Sequence, residues 1–114
     1  MTHIALHFFV PVLLALAFYR KRWLSATAIL IATMVVDLDH LLAVPIYDPA
    51  RCSIGFHPLH TQPAIAVYAA LFLIPLMARR RDFVRHLQGA ARVLHLIGLG
   101  LVVHMALDWV DCLA

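Results

Sequence analysis

The sequence predicts an all-α membrane protein, a bundle of four transmembrane spans with kinked helices and an irregular outer loop, forming a single domain over residues 1–114. Three observations carry this. Hydrophobic residues make up 64% of the 114 and charged residues 13%, against about a quarter charged in an average soluble domain. A chain this short cannot hide so much apolar surface from water as a soluble monomer. The apolar residues fall in four segments, and eight of the nine basic residues form two clusters between them: Arg20, Lys21 and Arg22, then Arg79, Arg80, Arg81, Arg85 and Arg92. The same composition excludes a disordered chain, a coiled coil and a nucleic-acid binder. The net charge of +3 is a topology signal, since Lys and Arg collect in cytoplasmic loops.

The first segment runs from about Ile4 to Tyr19. Ala15-Leu16-Ala17 mimics a cleavage site, yet no basic residue precedes the segment and three follow it. That is the reverse of a secretory signal, so the segment reads as a retained span. The second runs from Trp23 to about Leu42, the third from about Pro63 to Ala78, and the fourth from Val93 to the C-terminus. A span needs about 20 residues, with a lower limit near 17, so the first and third are short unless flanking residues join them. Pro11 and Pro75 should kink their helices, and Pro11 frees the carbonyl of His7. Residues 43–62 are rich in proline and turn formers and should be irregular. Gly98 and Gly100 would let the last helix approach a neighbour closely. Tyr19, Trp23, Tyr47 and Trp109 read as interfacial belt residues. With both basic clusters cytoplasmic, both termini and the 43–62 connection face the other side, the periplasm.

Glutamate is absent, and all six acidic residues are aspartates; there are eight histidines. Depth can be counted from the basic clusters at 1.5 Å per residue. His7 lies roughly 20 Å up the first span, Asp37 roughly 22 Å and His40 roughly 27 Å up the second. His60 lies roughly 28 Å up the third, His104 roughly 18 Å and Asp108 roughly 24 Å up the fourth. Polar residues of all four segments thus reach one layer in the outer half of the membrane. Spacing puts them on shared faces: His3 with His7, Asp37 with His40, and His104 with Asp108 and Asp111. Asp39 points elsewhere if the second helix stays α-helical. His86, in the inner loop, and His95, on the opposite face from His104, stand outside the set.

An Asp at the centre of a membrane helix costs about 2.5–3.5 kcal/mol, and no Lys or Arg lies in this layer to pair with. Either the aspartates are protonated or they share a cation, and a shared divalent cation removes both the burial and the like-charge penalties. Mixed imidazole and carboxylate ligands suit Zn first, with Mn or Fe as alternatives, and the donors suffice for one ion or two. His7, Asp37, His40, His60, His104 and Asp108 are the expected ligands. His3 and His57 are further ligands or their support. Asp39 and Asp111 are the candidates for orienting an attacking water. A single buried histidine reads more simply as a hydrogen-bonded helix contact; the set at one depth is what points to metal. Cys52, in the outer loop, and Cys112, near the outer end of the last span, both lie on the oxidising side, where disulfides persist, and are expected to bond.

The strings VVDLDH after an apolar segment, FHPLHTQ ahead of the third, and HMALD on the last resemble those of the YdjM-like family of bacterial inner-membrane metal-dependent hydrolases, in its short integral-membrane branch. The matching positions are His7; Asp37, Asp39 and His40; His57 and His60 with Thr61; and His104 with Asp108. The resemblance touches all four segments and implies metal-dependent hydrolysis in the bacterial inner membrane. The expected reaction is hydrolysis of a phosphoester in a lipid or lipid-linked substrate at the periplasmic side, with membrane lipids as surroundings. The alternative is a non-catalytic accessory subunit, in a homo-oligomer or a larger membrane complex, whose His/Asp cluster is structural. A haem bundle using His7 and His104 as axial ligands ranks last, because haem needs no aspartates.

Overall fold

Each apolar stretch is helical in the computed structural model, which describes residues 2–42, 52, 54–55, 57–80 and 88–113. Helix α1 covers Thr2–Phe18 and continues through Pro11. Tyr19 leaves helical geometry, and a single 3-10 turn over Arg20–Arg22 carries the exposed basic side chains. Helix α2 starts at once at Trp23 and runs to Ala32. The chain then tightens into a 3-10 helix over Thr33–Leu42, long for a winding that rarely exceeds 3–4 residues. A short 3-10 turn over Pro58–His60 precedes α3, Gln62–Arg80, which continues through Pro75. Helix α4 covers Gln88–Leu113. It begins earlier than the apolar segment at Val93, because Gln88, Ala90, Ala91 and Arg92 are good helix formers even though they are not all apolar. Among the described residues there is no strand.

α4 is the axis of the assembly. It packs on α1, α2 and the 3-10 helix, and most extensively on α3. Gly98 makes the α3 contact possible: a Cβ there would overlap the backbone of Leu71 and Phe72. Gly100 does the same for α2, where a Cβ would run into the Thr33 side chain and the Leu30 carbonyl oxygen. Ala15, Ala26, Leu30 and Leu96 form a buried seam between α1, α2 and α4. Val36, Tyr68, Leu101 and Met105 form a second cluster that joins the 3-10 helix to α3 and α4.

The distribution of polarity is inside out. Phe9, Phe18, Leu24, Leu42, Ile74 and Val110 are exposed, while His7, Thr33, Asp39, His57, His60, His95, His104 and Asp108 are buried. α4, over Gly89–Leu113, is long and apolar enough to cross a membrane. The other three expected spans do not each pass that test. α1 and the run Arg20–Asp39 qualify only as a pair, and the chain turns by 119° between them. In α3 the apolar stretch is the shorter Gln62–Met77. The physical reason is length: the 17 residues of α1 rise about 25 Å, short of a hydrocarbon core of about 30 Å, and the second apolar segment is divided between two windings.

Candidate metal centre

The change of winding after Ala32 decides where the aspartates go. At three residues per turn, positions three apart eclipse. Thr33, Val36 and Asp39 are all buried, Met34 and Asp37 are half-buried, and Val35, Leu38 and Leu41 are exposed. In an α-helix Asp39 would turn away from the site; the 3-10 winding brings it inward beside Asp37.

His60 is fixed from several sides. Pro58 opens its turn, with a restricted φ that suits a helical start. The His60 N–H donates to the His57 carbonyl at 2.9 Å, and its own carbonyl accepts from Gly55 N–H at 2.9 Å. Gly55 has φ of 85°, open to glycine without a steric penalty. Asp39 Oδ2 accepts the Leu59 N–H at 2.8 Å and the His60 Nδ1–H at 3.0 Å. From α3, the Tyr68 hydroxyl donates to the Leu59 carbonyl at 2.8 Å. His57 is buried, its ring edge-on to His60 with centroids 5.6 Å apart. With Nδ1 committed to Asp39, the Nε2 of His60 faces the cluster. A carboxylate behind a metal-facing imidazole fixes its tautomer and ring orientation.

α4 supplies His104 and Asp108, one turn apart on one face. His104 Nε2 lies 2.9 Å from Asp37 Oδ1 and 3.3 Å from Asp108 Oδ2. His60 Nε2 lies 3.0 Å from Asp108 Oδ2 and 3.4 Å from Asp37 Oδ1. Each imidazole therefore faces both carboxylates. These four residues offer ligand atoms that all lie within 4.8 Å of one another, and the group could hold a metal ion. Tetrahedral donors at about 2.0–2.1 Å from an ion stand about 3.3 Å apart, and the four His–Asp separations run from 2.9 to 3.4 Å. The charges agree as well. Two carboxylates facing two Nε2 atoms in a buried layer need positive charge between them, which two imidazolium protons or one divalent ion would supply.

α1 adds His7. Its Nε2 lies 3.3 Å from Asp108 Oδ1, and its ring meets His104 edge-on at 4.4 Å. Asp108 thus turns one oxygen to His60 and His104 and the other to His7. Towards the basic end, the space beside His7 and His104 is a cavity of about 10 Å³ lined also by Thr33, Gly100 and Leu107, no more than one water fills. On the other side the Asp37 side chain is 38% exposed while that of His60 is 0% exposed. Asp37 is the mouth of the site.

The structure brings together Asp37, His60, His104 and Asp108, with His7 against Asp108, Asp39 behind His60, and His57 packed on His60. The side chains of His3 and His40 lie outside the described residues, as does His86. Asp111 is exposed, one turn beyond Asp108. A Cys52–Cys112 disulfide, with Cα atoms 5.2 Å apart, ties the loop before His57 to the end of α4. Two buried hydrogen-bonding roles go unread in the sequence, one at the site and one away from it. Tyr68 looks like any interior aromatic, and His95, set aside for its face, is buried against α1 and α3. The His95 Nδ1–H donates to the Phe72 carbonyl at 3.0 Å, and its Nε2 accepts the Tyr19 hydroxyl at 2.5 Å.

Against known proteins, the whole chain, residues 1–114, matches the model of a family described as a family of unknown function, DUF6122. The chain belongs to that family. No curated protein and no solved structure matches it.

Proposed function

We propose that this member of the DUF6122 family is a multi-pass inner-membrane protein whose outer half holds a divalent metal, and that the centre hydrolyses a phosphoester in a lipid or lipid-linked substrate. The observation that carries the reading is the convergence of two carboxylates and two imidazoles on one point, with one carboxylate, Asp37, at the edge. Membrane insertion is supported by the inside-out polarity, since large apolar side chains cover the outside of all four helices. The basic turn Arg20–Arg22 and Arg92 lie at the opposite end from the site, which by the positive-inside rule supports a periplasmic side for the site and both termini. A disulfide beside the site suits that compartment. The donor set favours Zn, with Mn or Fe next, and the resemblance of the D-L-D-H and H-x-x-x-D strings to the YdjM-like hydrolases points the same way.

A bound divalent ion supplies hydroxide at neutral pH by bringing the pKa of its water to about 7. The protein's own part is positional. Asp39 holds the His60 ring through Nδ1 and so acts as a positioning residue. Asp111, exposed one turn beyond Asp108, is the residue assigned in this reading to orienting a water. Asp37, open to the outside, leaves the side from which a phosphoryl group enters. One observation favours a second reading. Four protein donors are enough to close a tetrahedral shell, as structural sites do, and the protein is then an accessory subunit of a membrane complex. Hydrolysis of a panel of phospholipids and isoprenoid phosphates separates the two. Metal-loaded protein turning over a panel member well above the Asp37→Ala variant supports hydrolysis. Equal background rates with metal present in the wild type leave the structural reading.

A further inference from the structure

The other end of the molecule carries a site of its own. A cleft of about 360 Å³ opens between Phe18, Tyr19, the Arg20–Arg22 turn and Arg92. A second, of about 420 Å³, shares Phe18, Tyr19 and Arg92 with it and continues between Phe72, Leu76 and Leu99. Together they form one groove with a cationic rim and an apolar interior. Among the described residues, no acidic one lines either part. Arg92 is held in the wall by its bond to the Ser25 hydroxyl at 3.3 Å. In the floor, Tyr19 and His95 bond each other. Phe18 is 75% exposed, so the groove opens sideways, to whatever surrounds the helices.

We propose that this groove binds one anionic phospholipid of the inner leaflet, its phosphate on Arg92 and the Arg20–Arg22 turn and one acyl chain between α1, α3 and α4. The charge selects an anion. The apolar arm runs about 10 Å from Arg92 to Leu99, and it and the lateral opening at Phe18 select a lipid over a soluble phosphate. Basic pockets between helices at the cytoplasmic surface bind anionic headgroups. The inference shares the membrane topology of the proposed function but is independent of the metal and of hydrolysis.

The test is native mass spectrometry of the full chain purified in detergent, with phosphatidylglycerol and phosphatidylcholine supplied in equal amounts. The wild type should retain phosphatidylglycerol preferentially. Arg92→Gln should weaken that binding about fivefold, the effect of one basic residue near a membrane surface. Leu99→Trp, which fills the apolar arm and leaves the charges alone, should also weaken it. If Arg92→Gln loses its helical circular dichroism, Arg20→Gln on the exposed rim gives the same readout. Equal retention of the two lipids by wild type overturns the proposal, as does unchanged phosphatidylglycerol binding in the charge and filling variants. Displacement of the lipid by equimolar glycerol phosphate also overturns it, as binding of a soluble anion. A chain that fails to partition into vesicles at all contradicts the topology itself; an inserted chain with no lipid preference contradicts only the groove.

Discussion

α4 carries two buried histidines nine residues apart, and they sit in opposite chemical settings. His95 meets a backbone carbonyl through Nδ1 and a tyrosine hydroxyl through Nε2, with the Phe72 ring stacked on it at 4.8 Å. Every contact is neutral, and the imidazole is satisfied without a cation. His104 turns Nε2 to the carboxylates of Asp37 and Asp108, and its Nδ1 has no hydrogen-bond partner among the described residues. Burial alone therefore says nothing about metal binding. Carboxylates converging on the same nitrogen mark a candidate site, because that arrangement away from water needs positive charge, from an imidazolium or from a shared ion.

The sharpest break in the comparison comes from removing a shared carboxylate. Asp108→Ala takes one partner each from His7, His60 and His104. The expected outcome is metal content near zero and a marked fall in thermal stability, since metal binding and folding are linked. Elemental analysis and a melting curve on the same sample check this. Asp39→Asn is next. It leaves the donor atoms in place and weakens the hold on His60, so metal affinity should fall about 10- to 100-fold, measured by chelator competition.

That second prediction depends on a placement that could not be read from the sequence. Asp37 and Asp39 are two residues apart in VVDLDH, and α-helical spacing sends Asp39 away from the site. The 3-10 winding of Thr33–Leu42 turns it inward, and no residue in that string announces the winding. Depth was legible, because distance from the basic clusters is a count along the chain. It brought His7, Asp37, His60, His104 and Asp108 to similar heights, and the longer rise of the 3-10 winding shifts Asp37 by only a few ångströms. The start of the second segment at Trp23 was legible for a similar reason, its boundary being a change in polarity. The start of α4 was not, because Gln88 to Arg92 are helical without being uniformly apolar. Tyr68 was missed because its role depends on which neighbouring backbone it meets; His95 was set outside the ligand set, and its hydrogen-bond partners could not be read.

Smaller effects sharpen the contrast between the ends. Reduction of Cys52–Cys112 should lower stability by about 2–4 kcal/mol and act at the outer end, seen as a lower melting temperature with dithiothreitol. Gly98→Ala forces α4 off the Leu71–Phe72 backbone and should cost about 1–3 kcal/mol, with metal content per folded chain kept. Tyr19→Phe removes one hydrogen bond from His95 and should cost about 1 kcal/mol, again with metal retained; a chemical or thermal unfolding curve resolves both.

The central claim is that the outer histidines hold a divalent ion and the inner one does not. The most direct measurement is the metal content of purified protein for the wild type, His104→Ala and His95→Ala. The account predicts a stoichiometric divalent ion in the wild type and in His95→Ala, and its loss in His104→Ala. A wild type that binds no divalent metal after loading, or a His104→Ala variant that binds it as the wild type does, would contradict it.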